Sequence, residues 1–451
     1  MSEPKAAFTP PSLFLATLAL SLATFMQVLD STIANVALPT ISGNLGVSAD
    51  QGTWVITSFA VCNAIALPLT GWFTRRFGQL RLFIASVMFF TLTSFLCGFA
   101  HSMTELIIFR ALQGFFAGPM FPMCQTLLLV IFPPMKRSMA LALLSMVTVV
   151  APIVGPITGG WLTDNYSWPW IFYINVPIGI FASIVVWSQL RMREETTQSS
   201  PVDYIGIALL VLGVGLLQVV LDKGNDEDWF SSTPIIVMSI VSAISLICFV
   251  IWELDERHPI VNLRLFKDRN FAIGTLALML GYAAFFAINI ILPQWLQTQM
   301  GYTAIWAGLA AAPMAFFFMP LTTIVLSNLH GNEVAEGSGL ATFFRVLGGS
   351  FASSLTTWIW QRREVFHHAN LTESVTQYNP AAMDYVNKMG GPTQQHLAMI
   401  DQVVTQQAYM MSTIDYFWVL GWGFMALIII IWFTRPPFVK SGMPGAPATG
   451  H

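Results

Sequence analysis

Ionisable side chains are rare within the apolar segments of this sequence, and Asp30 is the only carboxylate that lies well inside one. A charged side chain at membrane depth costs about 2.5–3.5 kcal/mol on insertion scales, so its presence there requires an explanation. Burial and neighbouring charge can tune such a carboxyl group to bind and release a proton. Asp30 is therefore predicted to be a proton-binding residue. The alternative is a structural polar residue that is paired permanently with a neighbour.

Arg110 is the predicted counter-charge of Asp30. It lies in another apolar segment, with Gln113 on the same helical face, because positions three apart lie on one side of a helix. A guanidinium stays protonated, so Arg110 would bias the ionisation of Asp30 without titrating itself. The alternative is that Arg110 acts as a structural brace for loop or backbone carbonyls.

Other polar residues are predicted to line a cavity rather than to face lipid. Gln27 and Asn35 are assigned to one polar-to-small helical face with Asp30, since offsets of three and four return to one side. Arg345 lies in a later apolar segment. It would either contact an anionic substrate or complete the polar network, and the sequence leaves both options open.

Two glycine-containing motifs are predicted to shape helix contacts and movement. The first combines a Gly-x-x-x-Gly contact face with prolines that remove backbone donors and bend the helix, which suits a gate. Its residues are Pro152, Gly155, Pro156, Gly159 and Gly160. In the second, a tight basic loop, glycines permit the turn and arginines can bond carbonyls at a helix C-terminus. Its residues are Gly71, Arg75, Arg76 and Gly78.

The composition indicates that these residues belong to a polytopic membrane protein. Of 451 residues, 55% are hydrophobic and only 10% are charged, whereas soluble domains carry about 25% charged residues. This excludes a soluble enzyme or DNA-binding protein, and the net charge of −3 argues against nucleic acid as a partner. The sequence contains no zinc-protease, P-loop or serine-hydrolase motif and no cysteine spacing typical of a metal site. We therefore predict neither an enzyme nor a metal centre.

Twelve apolar stretches near the length that a bilayer requires are predicted to be membrane-spanning helices. They are residues 13–39, 51–73, 80–100, 103–131, 138–163, 170–190, 203–221, 234–254, 271–295, 303–329, 337–360 and 413–434. Most of the 20 Lys and Arg residues then fall on one side of the membrane. By the positive-inside rule, this asymmetry predicts that both termini are cytoplasmic.

The predicted connections include two unusual external loops. Residues 221–233 are acidic, and residues 361–412 form a polar loop of about fifty residues, which is long for a loop without a role. The long loop is either a solvated connector or a docking surface for a periplasmic partner. Residues 1–12 are predicted to be a cytoplasmic N-terminus, and residues 436–451 a disordered cytoplasmic tail.

Five motifs together resemble those of one transporter family. They are SLATFMQVLDSTIANVA at 21–37, GWFTRRFG at 71–78, the segment from Phe109-Arg110 to Gly118, Gly155-Pro156 with Gly159-Gly160, and WPWIFYINVPIG at 168–179. The sequence resembles the fourteen-span drug/proton antiporters of the major facilitator superfamily over nearly its whole length. The resemblance is closest to the EmrB-type multidrug pumps of Gram-negative bacteria.

This resemblance implies two pseudo-symmetric helix bundles, at residues 13–190 and 256–435, with two extra linking helices at 191–255. It implies export of amphipathic drugs, uncouplers or fatty acids across the inner membrane, driven by the proton gradient and without a cofactor. EmrB-like members work with a periplasmic membrane-fusion adaptor and an outer-membrane channel, which are the implied partners. The family's proton-coupling carboxylate and helix 4 arginine fall on Asp30 and Arg110.

The sequence departs from the family pattern at two points. Arg75 stands where the superfamily usually has an aspartate, which puts only the usual loop-to-bundle ion pair in doubt. Four predicted spans follow the linking helices where a fourteen-span member should have six, and we suspect a junction near Ala315. Because transport needs two matching six-helix bundles, the alternative function is a truncated, non-transporting relative that retains adaptor binding.

Overall fold

A computed structural model describes residues 11–133, 136–192, 197, 201–302, 317–329, 333–376, 378–388 and 393–435 of the protein. The regular structure of these residues is helical. The α-helices are α1 (Leu13–Leu45), α2 (Ala49–Gly52), α3 (Trp54–Phe77), α4 (Gln79–Gly98), α5 (Met103–Ala117), α6 (Met120–Ile131), α7 (Arg137–Asn165), α8 (Trp170–Tyr173), α9 (Asn175–Leu190), α10 (Tyr204–Lys223), α11 (Thr233–Asp255), α12 (Arg269–Thr298), α13 (Phe318–Leu326), α14 (Glu333–Thr372), α15 (Pro380–Lys388) and α16 (Gln394–Trp432).

Ten segments of the described chain are long and apolar enough to cross a membrane. They are Leu13–Leu45, Trp54–Phe77, Gln79–Gly98, Met103–Ile131, Met139–Asn165, Trp170–Leu190, Tyr204–Lys223, Thr233–Asp255, Arg269–Gln297 and Gln394–Trp432. A helix satisfies its own backbone hydrogen bonds, which hydrocarbon surroundings demand. The prediction of an all-α polytopic membrane protein is confirmed.

The predicted spans at 303–329 and 337–360 are not among these ten. Residues 303–316, with the suspected junction near Ala315, lie outside the described residues, and α13 is the described helix of the first of these spans. The second lies within the 40-residue α14, in which repeated Gly, Ser and Thr residues lower the hydropathy. Residues 1–10 and the predicted tail at 436–451 also lie outside the described residues.

The segment 361–412, which was predicted to be an external loop, is mostly helical. α14 continues to Thr372, α15 follows, and α16 begins at Gln394. Side-chain contacts join the two long helices, since both Arg363 and His367 bind the Asp415 carboxylate. The segment is therefore built from ordered helices instead of an irregular connector, and its external position stays a prediction.

The chain divides into two compact units. The first contains the described residues of Met1–Met279, Ala315–Leu347 and Phe433–His451, and the second contains those of Leu280–Met314 and Gly348–Trp432. In the second unit, Ala287 and Ile291 of α12 form a small core with Trp360 of α14 and Tyr416 of α16. The predicted bundle limits at residues 190, 255 and 435 stay predictions.

In the first unit, the core forms where small residues of α1 face large rings. Ala16, Ala19 and Ala23 are fully buried in one cluster with Phe83 and Phe90 of α4. Small side chains let helix backbones approach closely, and the rings opposite fill the remaining space. α1 also packs along α7 and α9. These contacts position the middle of α1, where the candidate site lies.

Candidate functional site

An ion pair at the centre of the first unit joins α1 to α5. Arg110 Nη1 donates to Asp30 Oδ2 at 2.6 Å, and the two side chains are 1% and 0% exposed. The predicted counter-charge relationship is therefore realised in the structure. A desolvated pair of this kind is strongly destabilised when one partner is removed, because the other charge stays buried and uncompensated.

Two amides complete the coordination of the carboxylate. Asp30 Oδ1 accepts from Gln113 Nε2 at 3.0 Å and from Asn175 Nδ2 at 2.7 Å. Asn175 also donates to Ser94 Oγ at 3.0 Å, which extends the network to α4. Gln113 Oε1 in turn accepts from Arg110 at 2.8 Å. The carboxylate thus has partners on α5 and α9 at once.

Asn175 is a residue that the sequence-based prediction missed. It begins α9 within the WPWIFYINVPIG motif, where it is the one amide among apolar and aromatic residues. Its side chain is fully buried. A buried amide needs hydrogen-bond partners, and a neighbouring helix can supply them. A single amide among apolar and aromatic residues was therefore the sequence signal that could have identified Asn175.

The guanidinium of Arg110 is held by backbone and aromatic contacts as well as by Asp30. Its Nε donates to the carbonyl of Val55 at 3.2 Å, and its Cζ lies 4.2 Å from the ring centre of Phe59. A Cβ on Gly114 would lie 2.2 Å from the Phe59 carbonyl oxygen, so glycine is what lets α5 approach α3 this closely. The brace and counter-charge roles proposed for Arg110 therefore coexist.

This arrangement holds a fully buried charge without access to water. Three donors satisfy the Asp30 oxygens, and the rings of Phe59 and Phe172 flank Arg110. Among the described residues, no group of three or more His, Cys, Asp or Glu side chains could hold a metal ion.

The polar face predicted for α1 is divided. Gln27 is half-buried and Asn35 is exposed, and neither contacts Asp30, whose described partners lie on α5 and α9. The reason is helical geometry, since five residues at 3.6 per turn rotate Asn35 by about 140° from Asp30. The prediction that Asn35 shares a face with Asp30 is therefore wrong.

The glycine motif of α7 forms a close contact with α1. A Cβ on Gly155 would lie 2.1 Å from Thr32 Oγ1, and one on Gly159 would lie 2.8 Å from Ile33 Cγ1. Gly160 does not make a close contact of this kind, because a Cβ there would lie 4.0 Å from its nearest neighbour, Val36 Cγ1. The helix also continues through the two prolines of the motif, Pro152 and Pro156. Gly155 and Gly159 therefore let α7 lie directly against the residues that follow Asp30 on α1.

The basic loop motif makes a long-range ion pair. Arg75 Nη1 contacts the Glu336 carboxylate of α14, and Arg75 Nη2 donates to the Pro259 carbonyl at 3.0 Å. Asn262 donates to the second Glu336 oxygen at 2.9 Å. Arg75 was predicted to bond helix C-terminal carbonyls. It binds instead a carboxylate and the chain segment that follows α11.

The remaining residues of this motif serve the turn and the close packing. A Cβ on Gly71 would lie 2.8 Å from Glu336 Cγ, so glycine permits the approach of α14. Gly78 has a φ of 85°, a conformation that side chains disfavour, and it separates α3 from α4. Arg76 is exposed.

Arg345 lies in a separate cavity of the first unit. The cavity has a volume of about 20 Å³, and its polar lining includes Gln125, Ser338 and Arg345. The guanidinium of Arg345 lies over the Phe121 ring at 4.2 Å, and Ser338 hydrogen-bonds to Gln125. The described partners of Asp30 do not include Arg345, so Arg345 does not complete that network directly.

Comparison with known proteins identifies relatives along the whole chain. The family model of the Major Facilitator Superfamily matches residues 20–362. The multidrug export protein EmrB of Haemophilus influenzae is 44% identical over 95% of this chain and 96% of its own length. The EmrB of Escherichia coli K12 is 44% identical over 96% and 97%. The fatty acid resistance protein FarB of Neisseria gonorrhoeae is 41% identical over 94% and 97%.

The fold is also similar to that of a solved transporter. The structure of the proton:xylose symporter XylE, bound to 6-bromo-6-deoxy-D-glucose, has a TM-score of 0.50. It is 13% identical to this chain and covers 93% of it and 95% of its own length. At this identity the similarity concerns the fold alone.

The alignments contain more positions than this chain has matched residues. The H. influenzae alignment has 492 positions, although it covers only 95% of 451 residues. Roughly 60 positions of the relative thus have no counterpart here, which is enough for two spans of about 20 residues and a connection. This difference in length agrees with the count of four predicted spans after the linking helices.

Proposed function

The chain belongs to the Major Facilitator Superfamily, as a relative of the EmrB multidrug export proteins, and on that premise we propose that it exports amphipathic toxic compounds in exchange for protons. It is a multi-pass membrane protein whose relatives are transporters rather than enzymes. The proposed location is the bacterial inner membrane, with both termini in the cytoplasm. The Asp30–Arg110 ion pair carries the proposal.

Proton coupling is assigned to Asp30. In the observed arrangement its carboxylate is paired with the Arg110 cation and accepts hydrogen bonds from two amides, so the buried charge is compensated. Protonation would remove the attraction to Arg110, which stays cationic. The proton therefore favours an arrangement in which this contact is open. Substrate favours the other arrangement, and each ligand shifts the equilibrium by its differential affinity for the two.

The proposed cavity residues are Gln27, Asn35, Gln113 and Arg345. Gln113 would act closest to the proton site, since it contacts both Asp30 and Arg110. The substrates are amphipathic drugs, and the name of FarB adds fatty acids to the classes worth testing. No cofactor is required, because the proton gradient supplies the driving force.

Movement between arrangements is assigned to two contacts. The first is the Gly155 and Gly159 surface of α7 against α1, where glycine allows the two backbones to slide at close distance. The second is the contact of Arg75 with Glu336, which would open and close with the cycle. Pro152, Pro156 and Gly160 are proposed to be parts of the same gating helix.

The proposed partners are a periplasmic membrane-fusion adaptor and an outer-membrane channel. The helical segment at 361–412 is the proposed docking surface for the adaptor. Its paired helices form a defined surface, which supports docking better than an irregular connector would.

Proton-coupled uptake into everted membrane vesicles, in which export from the cytoplasm becomes uptake, tests the proposed function. Vesicles with the wild-type chain should take up a fluorescent amphipathic dye when a proton gradient is imposed, and Asp30→Asn vesicles should not. Asn44→Ala serves as a control for general disturbance of α1, because Asn44 is exposed and its described hydrogen bond is to the Thr40 carbonyl of the same helix. Gradient-driven uptake that survives in Asp30→Asn vesicles would refute the assignment.

A second candidate function is adaptor binding without transport. The roughly 60 missing positions favour it, since transport requires two complete bundles. Copurification of the adaptor with this chain, combined with absence of proton flux in vesicles, is the expected result for this candidate. Proton flux in the same preparation would exclude it.

A further inference from the structure

Two carboxyl groups meet at one end of the linking helices α10 and α11. Glu253 lies near the end of α11 and is 1% exposed. Asp203 caps the start of α10, where its Oδ1 accepts from the Gly206 backbone N–H at 2.9 Å. The second oxygen of Asp203 accepts from the indole N–H of Trp252 at 2.9 Å. By the topology predicted above, this end of the pair faces the cytoplasm.

The absence of a side chain at Gly206 lets the two carboxyl groups approach. A Cβ at that position would lie 2.3 Å from Asp203 Oδ2 and 2.7 Å from Glu253 Oε1. The two oxygens are therefore no more than about 5 Å apart, a distance at which like charges disfavour each other's ionisation. Glu253 Oε1 is buried and has no hydrogen-bond partner among the residues that the structure describes.

An ionised Glu253 would be poorly compensated at this site. The charged groups that act on it from the surrounding elements are Asp203 of α10 and Glu256 of the following segment, and both are acidic. Its favourable contacts come from the backbone of the following segment: the Val261 N–H donates to Oε2 at 3.2 Å, and the Ile260 N–H also interacts with the carboxyl group. A neutral carboxyl group keeps that hydrogen bond and places no charge on the buried Oε1.

We propose that Glu253 is a second proton-binding site of this protein, separate from Asp30. Its proton neutralises the carboxyl group beside Asp203, and the Val261 N–H bond to Oε2 is kept. Loss of the proton places two like charges within about 5 Å of each other in a buried site. The proposal does not depend on proton-driven export, because no step involves Asp30.

The segment that contacts Glu253 is also held by the basic loop motif. Arg75 donates to the carbonyl of Pro259, and Asn262 donates to Glu336. Residues 259–262 thus connect the acid pair to the ion pair of α3 and α14.

Infrared difference spectroscopy of the purified full-length chain tests the site. The wild type should have a protonated carboxyl band at neutral pH, where an ordinary glutamate with a pKa near 4.3 is ionised. The band should be lost in Glu253→Gln and kept in the matched control Asp255→Asn, whose residue is exposed two positions away. It should also be kept in Asp30→Asn, which separates this site from the export mechanism. A band that is unchanged in Glu253→Gln overturns the proposal.

Stability gives a second measurement. The folded state holds a proton that the unfolded chain has lost above about pH 5, so wild-type stability should fall as pH rises. Glu253→Gln keeps the neutral shape and should lose this component of the pH dependence. Asp203→Asn is a second variant in case Glu253→Gln does not fold. It removes the neighbouring negative charge, so the protonated carboxyl band should disappear at a lower pH than in the wild type. Unchanged pH dependence in both variants would refute the proposal.

Discussion

Arg110 Nη1 lies 2.6 Å from Asp30 Oδ2 although the two residues are 80 positions apart in the chain, and both side chains are excluded from solvent. Each partner therefore compensates the charge of the other. The guanidinium offsets part of the desolvation cost of the buried carboxylate, and the carboxylate does the same for the guanidinium. In the proposed mechanism, protonation of Asp30 removes this attraction and thereby acts on the position of α1 against α5.

Removal of the cation should be more damaging than removal of the acid. Arg110→Ala leaves the Asp30 charge buried with only amide donors, and breaking a buried pair in this way is destabilising by about 3–5 kcal/mol. In Asp30→Asn, Arg110 keeps Gln113 Oε1, the Val55 carbonyl and the Phe59 ring as partners, so the loss of stability should be smaller, while proton-coupled efflux should be abolished. Thermal stability in detergent, measured next to dye efflux, separates the two effects. Equal loss of stability in both variants would contradict this expectation.

Asn175 should contribute to the same network from α9. Asn175→Ala leaves Asp30 Oδ1 with Gln113 as its described donor and removes the described donor to Ser94 Oγ, so the loss should be about 1–3 kcal/mol. Asn165→Ala is the matched control, since that exposed amide bonds only its own helix in the described contacts. Thermal unfolding of the two variants gives the comparison. Similar effects at both positions would show that Asn175 has no special role.

Neighbouring glycines of α7 should differ in their tolerance of a methyl group. In Gly159→Ala the new Cβ would lie 3.0 Å from the Ile33 carbonyl oxygen, and such overpacking costs about 1–3 kcal/mol. In Gly160→Ala the Cβ would meet Val36 at 4.0 Å, an ordinary contact. Both stability and efflux should therefore fall in the first variant only. If both variants behave alike, the Gly159 surface does not control the contact of α7 with α1.

The Arg75–Glu336 pair should be rescued by exchange of its charges. Arg75→Glu places two carboxylates together, and Glu336→Arg places two cations together, so each single variant should lose activity. The double variant restores opposite charges and should recover part of it, with a coupling energy of about 0.5–3 kcal/mol. Arg76→Glu, at the exposed neighbouring position, controls for the loss of a basic charge in this loop. If the activity losses of the two single variants simply add in the double variant, the contact does not contribute to activity.

The membrane class and the identity of the central ion pair could be predicted from residue types alone. Charge is costly in an apolar segment wherever the segment lies in the fold, so Asp30 and Arg110 stand out before any contact is known. The same reasoning predicts the helical spans, because hydrocarbon surroundings force a chain to satisfy its own backbone.

Partners of these residues could not be predicted in the same way, because they depend on how each helix is rotated and which distant helix it meets. Periodicity placed Asn35 beside Asp30, whereas the rotation of α1 exposes Asn35, and α9 supplies Asn175 instead. The sequence pattern assigned Arg75 to a local basic loop, yet its carboxylate partner, Glu336, lies 261 residues further along the chain. Amino-acid type reveals where a polar group would be costly within a membrane, but only the packing of distant helices reveals which group compensates it.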